Sequence, residues 1–185
     1  MAKYSILVEQ AIAAMNIDSL NKTAISTTDD IAGGNVVVLT ASGKNGDNVF
    51  TATKPAAATD DVYMVYNPAE HYLVVNGNVY AGDSLTSDVR DFTNIANHPF
   101  GVFKPQKNDE IEIIDEAIAK DKTAAEALVG KYLVVGDSYT LKSANEAGTG
   151  LAFKVVNTIK HDFPPTKGTI GKTTGYGIHA ICVNA

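Results

Sequence analysis

The chain has a single cysteine, no tryptophan, one arginine and six prolines among its 185 residues. A lone Cys182 excludes an intrachain disulfide and any cysteine-rich zinc site. A chain of this length buries roughly 70% of its unfolded surface, so it needs no covalent or metal staple. No apolar run approaches the ~18–20 residues of a membrane-spanning helix. Basic charge is scarce as well. Fifteen Lys and Arg against 21 Asp and Glu give a net charge of −6, and Arg90 is the one arginine. Direct nucleic-acid binding wants a basic face, and this composition argues against it. Met1-Ala2-Lys3-Tyr4 offers one Lys, and Glu9 interrupts the apolar stretch that follows, a poor match to a secretory leader. Asn21-Lys22-Thr23 fits a glycosylation sequon but carries no weight without one.

What the chain does have is β-branched side chains. Val, Ile and Thr together make 49 of the 185 residues. Such residues lose rotamer freedom in helices and pack well on pleated surfaces. Val36–Thr40 and Val49–Thr53 read as a hairpin around a Gly43/Asn45/Gly46/Asp47 turn cluster. Val62–Tyr66 is a further strand. Asn76-Gly77, between Tyr72–Val75 and Asn78–Ala81, has the positive-φ residues of a type I′ hairpin turn. Phe100–Phe103 and Ile111–Ile114 are strands around a Pro105–Asp109 turn, and Glu110-Ile111-Glu112-Ile113 alternates, so one face is wet. Ala117–Leu128 holds one or two helical turns. Tyr132–Val135 and Tyr139–Leu141 read as another hairpin, and Leu151–Ile159 and Tyr176–Val183 as two last strands. About ten short strands with regular turns and little helix predict a mainly β fold, a β-barrel or β-sandwich.

Residues 1–32 differ. Tyr4, Leu7, Val8, Ala11, Ile12 and Met15 recur at three- and four-residue intervals, while 19–30 is polar. The segment is expected to be an N-terminal arm. It is either a short amphipathic helix or an extended stretch whose apolar residues bury against a partner. Residues 33–185 form the β-rich body, and a boundary near 105 would allow two subdomains.

Patterns that would carry chemistry fail on spacing. Gly171-Lys172-Thr173 resembles the end of a phosphate loop, but Thr166 stands where the first glycine belongs and a β-prone segment follows. His71, His98, His161 and His179 lack the three- to five-residue spacing of zinc ligands. Cys182 sits in an apolar strand, where a thiol behaves as a small hydrophobe. Glu110 and Glu112 share a strand face with Asp115 and Glu116 beyond, without the Asx/Gly spacing of a calcium loop, and read as a solvated, charged sheet edge. Asp88, Arg90 and Asp91 read as an ion-pair cluster holding the 82–98 loop. No catalytic residue, cofactor or metal site is expected, and an interaction or structural role becomes the leading class.

Three stretches resemble small head decoration, or auxiliary capsid, proteins of tailed bacteriophages. The first is Val8–Met15 followed by Asp30-Ile31-Ala32-Gly33-Gly34-Asn35-Val36-Val37. The second is Val62-Tyr63-Met64-Val65-Tyr66-Asn67-Pro68. The third is Asp88–Ala96, running into Phe103-Lys104-Pro105-Gln106 and Asp109-Glu110-Ile111. The family favours Asn-Gly where this chain has Gly33-Gly34, so that turn is expected to differ. The resemblance implies a virion component without catalytic residues, bound to the outside of the major capsid lattice and made in the host cytoplasm. The implied partner is the phage major capsid protein, a homo-oligomer is allowed, and neither nucleic acid nor membrane is contacted. Tyr4, Leu7, Val8, Ile12 and Met15 are the expected capsid-interface residues. Two other readings stay open: a head-fibre or tail module recognising a cell-surface ligand through tyrosines, and a bacterial enzyme or binding barrel whose site assembles only in three dimensions.

Overall fold

The structure, a computed structural model, describes residues 4–42, 48–68, 72–75, 78–81, 89–163 and 173–185. The fold is mainly β, a closed five-stranded barrel packed on a six-stranded sheet. The barrel runs β2 (Asn21–Ile25), β4 (Val49–Thr53), β3 (Val36–Ser42), β5 (Val62–Val65) and β8 (Pro99–Phe103), which pairs back onto β2. Its one parallel contact is β2 with β4. The sheet has the order β1 (Ser5–Ala11), β9 (Glu110–Asp115), β13 (Thr173–Asn184), β12 (Ala152–Phe163), β10 (Tyr132–Val134) and β11 (Lys142–Ala144), every pair antiparallel. A separate hairpin joins β6 (Tyr72–Val75) to β7 (Asn78–Ala81). The α-helix α1 (Lys122–Glu126) is a single short element, with the Asp121 carboxylate accepting from the Ala124 N–H at 2.8 Å as its cap.

Alternation along the strands feeds two cores. On β3, Val37 faces the barrel interior with Ala24, Ala52, Val65, Phe100 and Val102, at least one residue from each barrel strand. Its neighbour Val36 faces outward into a larger cluster with Met64 and Phe103 from the barrel and Leu7, Ile113, Leu133, Phe153 and Ile178 from the sheet. That shared cluster welds barrel to sheet. A third group, Ile6, Ile114 and Phe163, lies on the sheet's other face with Tyr4, Val8 and Ile159 against it.

The expected strand pairs at β3–β4 and β6–β7 are present, the latter with Val75 opposite Asn78. Asn76-Gly77 itself and the 43–47 turn lie outside the described residues, as do Gly171-Lys172. Thr173 opens a strand rather than a helix. The hairpin expected from Tyr139–Leu141 is displaced. β10 pairs instead with Lys142–Ala144, because the Tyr139 carbonyl accepts from the Val36 N–H at 2.8 Å and so serves the barrel.

The expected N-terminal arm requires correction. β1 pairs along β9 with Leu7 opposite Ile113, and β2 closes the barrel between β4 and β8. The three-four apolar spacing arises from a strand with apolar residues on both faces and a bulge between Glu9 and Ala11 that shifts the phase. The polar stretch that follows is absorbed the same way, with Ala24 and Ile31 fully buried and Ser26 1% exposed.

Candidate interaction surface

The three stretches that carry the resemblance are hydrogen-bonded to one another. The backbone N–H and C=O of Ile31 bond those of Asn94 at 2.8 and 3.0 Å, an isolated bridge outside the strands. The buried Asn94 side chain donates to the Tyr66 carbonyl at 3.1 Å. The Gly34 N–H donates to the Val65 carbonyl at 2.9 Å, and the Val65 N–H to the Asn35 carbonyl at 2.8 Å. Asp109, 4% exposed, accepts from the Ala13 N–H at 2.9 Å and from the Gln106 N–H at 2.8 Å. Each stretch is therefore bonded to the other two. Asn67 adds a further tie, accepting from the Leu7 N–H at 2.9 Å and donating to the Leu7 carbonyl.

Gly33 and Gly34 are required here for different reasons. A Cβ on Gly33 would sit 1.9 Å from Asn67 Oδ1, and Gly34 has φ +76°, which disfavours any side chain. Sequence reasoning placed Asn67 and Gly33-Gly34 in the resembling stretches without a contact for either. Their partners, sixty residues away for Asn67 and Leu7, leave no local signal.

The expected interface residues divide. Leu7 and Ile12 are 1% and 3% exposed and belong to the protein's own core, so their assignment to a partner surface is corrected. Tyr4 is half-buried, its ring edge-on to Phe163 with centroids 5.8 Å apart. Val8 is half-buried beside the same cluster. Met15 is 64% exposed, and Ile17, which the sequence did not single out, is 46% exposed. Both lie on the segment between β1 and β2, in and beside two 3-10 turns, Ala13–Met15 and Asp18–Leu20.

This exposed segment is held from beneath. Asn21 Nδ2 donates to the Ala14 carbonyl at 2.7 Å and the Ile17 carbonyl at 3.4 Å, and Asn21 Oδ1 accepts from the Tyr66 hydroxyl at 2.8 Å. Burial, then the carboxylates of Glu9 and Asp109, raises the Tyr66 phenol above its ordinary range, keeping it a donor. Asn21 is thereby committed to structure. The Tyr66 ring rests 4.8 Å from that of Phe103. Met15 and Ile17 are thus apolar side chains fixed on a rigid base with Asn16, Asp18 and Ser19 exposed around them.

The other marked groups have structural employment. Arg90 lies 4.7 Å over the Phe163 ring and 5.9 Å from that of Tyr4, a cation–π arrangement; Asp88 lies outside the described residues. Asp115 points away from Glu110 and Glu112, is 3% exposed and accepts from the Ala117 N–H. The sheet-edge reading of Glu110 and Glu112 is corrected: β9 lies between β1 and β13, and Glu110 meets His179 Nε2 at 3.2 Å across the strands. Among the described residues no group of three His, Cys, Asp or Glu is placed to hold a metal ion. A cleft of about 490 Å³ is lined by Ala58, Val134 and residues 144–151, with Glu146 as its one ionisable described side chain.

No family model, no curated protein and no solved structure matches this chain.

Proposed function

We propose that this chain is a non-enzymatic capsid decoration protein that binds the outer surface of a phage major capsid lattice and stabilises the head. The observation that carries the reading is the set of hydrogen bonds that ties the three resembling stretches to one another. Asn94, Asp109, Gly34 and Asn67 hold strands in place, as a protein that works by shape rather than by chemistry requires.

Capsid contact then falls to the exposed segment between β1 and β2, with Met15 and Ile17 at its centre. Apolar side chains on a preorganised base lose little freedom on binding. The acidic composition suits neither DNA nor RNA as a direct ligand. The test is quantitation of the chain in purified virions, together with titration of the full chain onto heads that lack it. The reading expects a fixed ratio to the major capsid protein and saturable binding that slows thermal release of packaged DNA. Absence from particles, or recovery with tails alone, would overturn it.

A further inference from the structure

We propose that the outer edge of β12 pairs antiparallel with the same edge of a second copy of this chain, about a twofold axis through His161. Along one side β12 pairs with β13 throughout. Along the other it holds β10 at Ala152–Lys154, and Val155 exchanges backbone bonds of 2.9 Å with Gly130 and Lys131. Past the bulge between Val155 and Asn157, no described residue pairs with that side. Asn157, Lys160, His161 and Asp162 are exposed there. An open strand edge is a template for strand addition. The sheet's other edge, β1, has the Asn67 amide seated on Leu7, whereas the described residues supply β12 with no equivalent cap.

Charge selects the occupant. Around a twofold axis normal to a sheet, residues of like parity oppose one another, because side chains alternate between the faces. Centring the axis on His161 sets Lys160 of each copy against Asp162 of the other. Centring it on Lys160 or Asp162 sets like charges face to face, and centring it on Ile159 sets Lys160 against Thr158. Lys160 and Asp162 already share one face, with Nζ 3.8 Å from Oδ1, and the Thr174 hydroxyl donates to that carboxylate at 3.1 Å. On the opposite face the His161-centred register places Ile159 against Phe163 of the second copy. This pairing does not depend on what else the chain binds.

A short edge contact belongs to the small, transient class of interfaces, so sedimentation velocity on the full chain should span about 10 µM to 1 mM. A monomer–dimer equilibrium is expected within that range. Lys160→Asp and Asp162→Lys should each weaken it about tenfold or more by opposing like charges. Mixed together, the two variants should associate with each other. Should either fail to fold by circular dichroism, the double swap Lys160→Asp/Asp162→Lys preserves both charges. It should dimerise with itself and exclude the unaltered chain. A monomer throughout, a dimer indifferent to the single reversals, or a double swap that mixes freely with the unaltered chain would each overturn the proposal.

Discussion

The side-chain amide of Asn67 occupies the outer edge of β1 as a neighbouring strand would, bonding both the N–H and the C=O of Leu7. Leu7 is 1% exposed with the amide in place, so both backbone groups take their hydrogen bonds from Asn67. Asn67→Ala should cost about 2–3 kcal/mol, since it strands a donor and an acceptor together. Gly33→Ala should cost a similar amount, because the new methyl would displace the amide. The pair should couple: with the amide removed, the methyl loses its clash with the side chain and keeps only the Asn67 Cα, 3.0 Å away, so the double variant should be about 1 kcal/mol more stable than additivity predicts. Urea unfolding of the four proteins measures this, and strict additivity would refute the shared cause.

Adjacent strand pairs were legible because their signals are local. Asn76-Gly77 and the glycine-rich stretch after Val36–Thr40 sit between runs of β-branched residues, and the flanking strands pair as expected. The N-terminal segment was not legible. β1 carries Ile6 and Val8 toward one cluster and Leu7 toward another, and its bulge breaks the two-residue period into threes and fours. β2 has the polar pattern of a loop and becomes a strand through pairing with β4 and β8, respectively parallel and antiparallel, which no local window contains. The same holds for the surface. Met15 was readable as apolar, but its exposure follows from Asn21 and Tyr66 fixing the turns beneath it.

Cys182 is fully buried, and burial, aided by the Asp109 carboxylate, pushes its thiol up to about 12. A thiolate is the reactive form. At pH 8 the native chain should therefore react with a maleimide or a disulfide reagent over hours at most fractionally, and completely within minutes in denaturant. Rapid stoichiometric labelling of the folded protein would contradict this placement.

The Tyr139 hydroxyl donates to Asp29 Oδ2 at 2.9 Å, and Thr28 donates to the same oxygen at 2.8 Å. The Thr28 bond first, then that of Tyr139, lowers the Asp29 carboxyl, while burial and then Asp29 push the Tyr139 phenol up to about 12. For the lowered carboxyl, the stabilising contribution is present above its unfolded value of 3.8 and is lost as pH falls through the folded value. For the raised phenol it is present below its unfolded value of 10.0 and is lost as pH rises toward about 12. The stability advantage of the unaltered chain over Tyr139→Phe should be flat from pH 6 to 9 and shrink above pH 10. Denaturation midpoints of the two proteins across that range decide it, and an advantage that grows in alkali would have the wrong sign.

The decoration reading makes its sharpest demand on the segment between β1 and β2. If residues 1–32 were a detachable anchor, their deletion would leave a folded body that no longer binds heads. Here the deletion removes β1 from its pairing with β9 and β2 from the ring of the barrel, together with Leu7, Ile12, Ala24 and Ile31 from the cores. Strand loss on that scale should abolish cooperative unfolding, so deletion cannot separate binding from folding. Point variants can. Met15 and Ile17 project from turns held by Asn21, and their side chains contribute little to either core. Met15→Asp with Ile17→Asp should leave stability within about 0.5 kcal/mol per site, as exposed substitutions do. The same pair places two carboxylates at the centre of the proposed contact, where unpaired charge is costly, and occupancy on undecorated heads should fall about tenfold or more. Calorimetry and head-binding titration on the same preparation read the two effects separately. A double variant that folds and saturates heads like the unaltered chain would remove this surface from the capsid contact. A deletion of 1–32 that unfolds cooperatively would show that the segment is an arm after all.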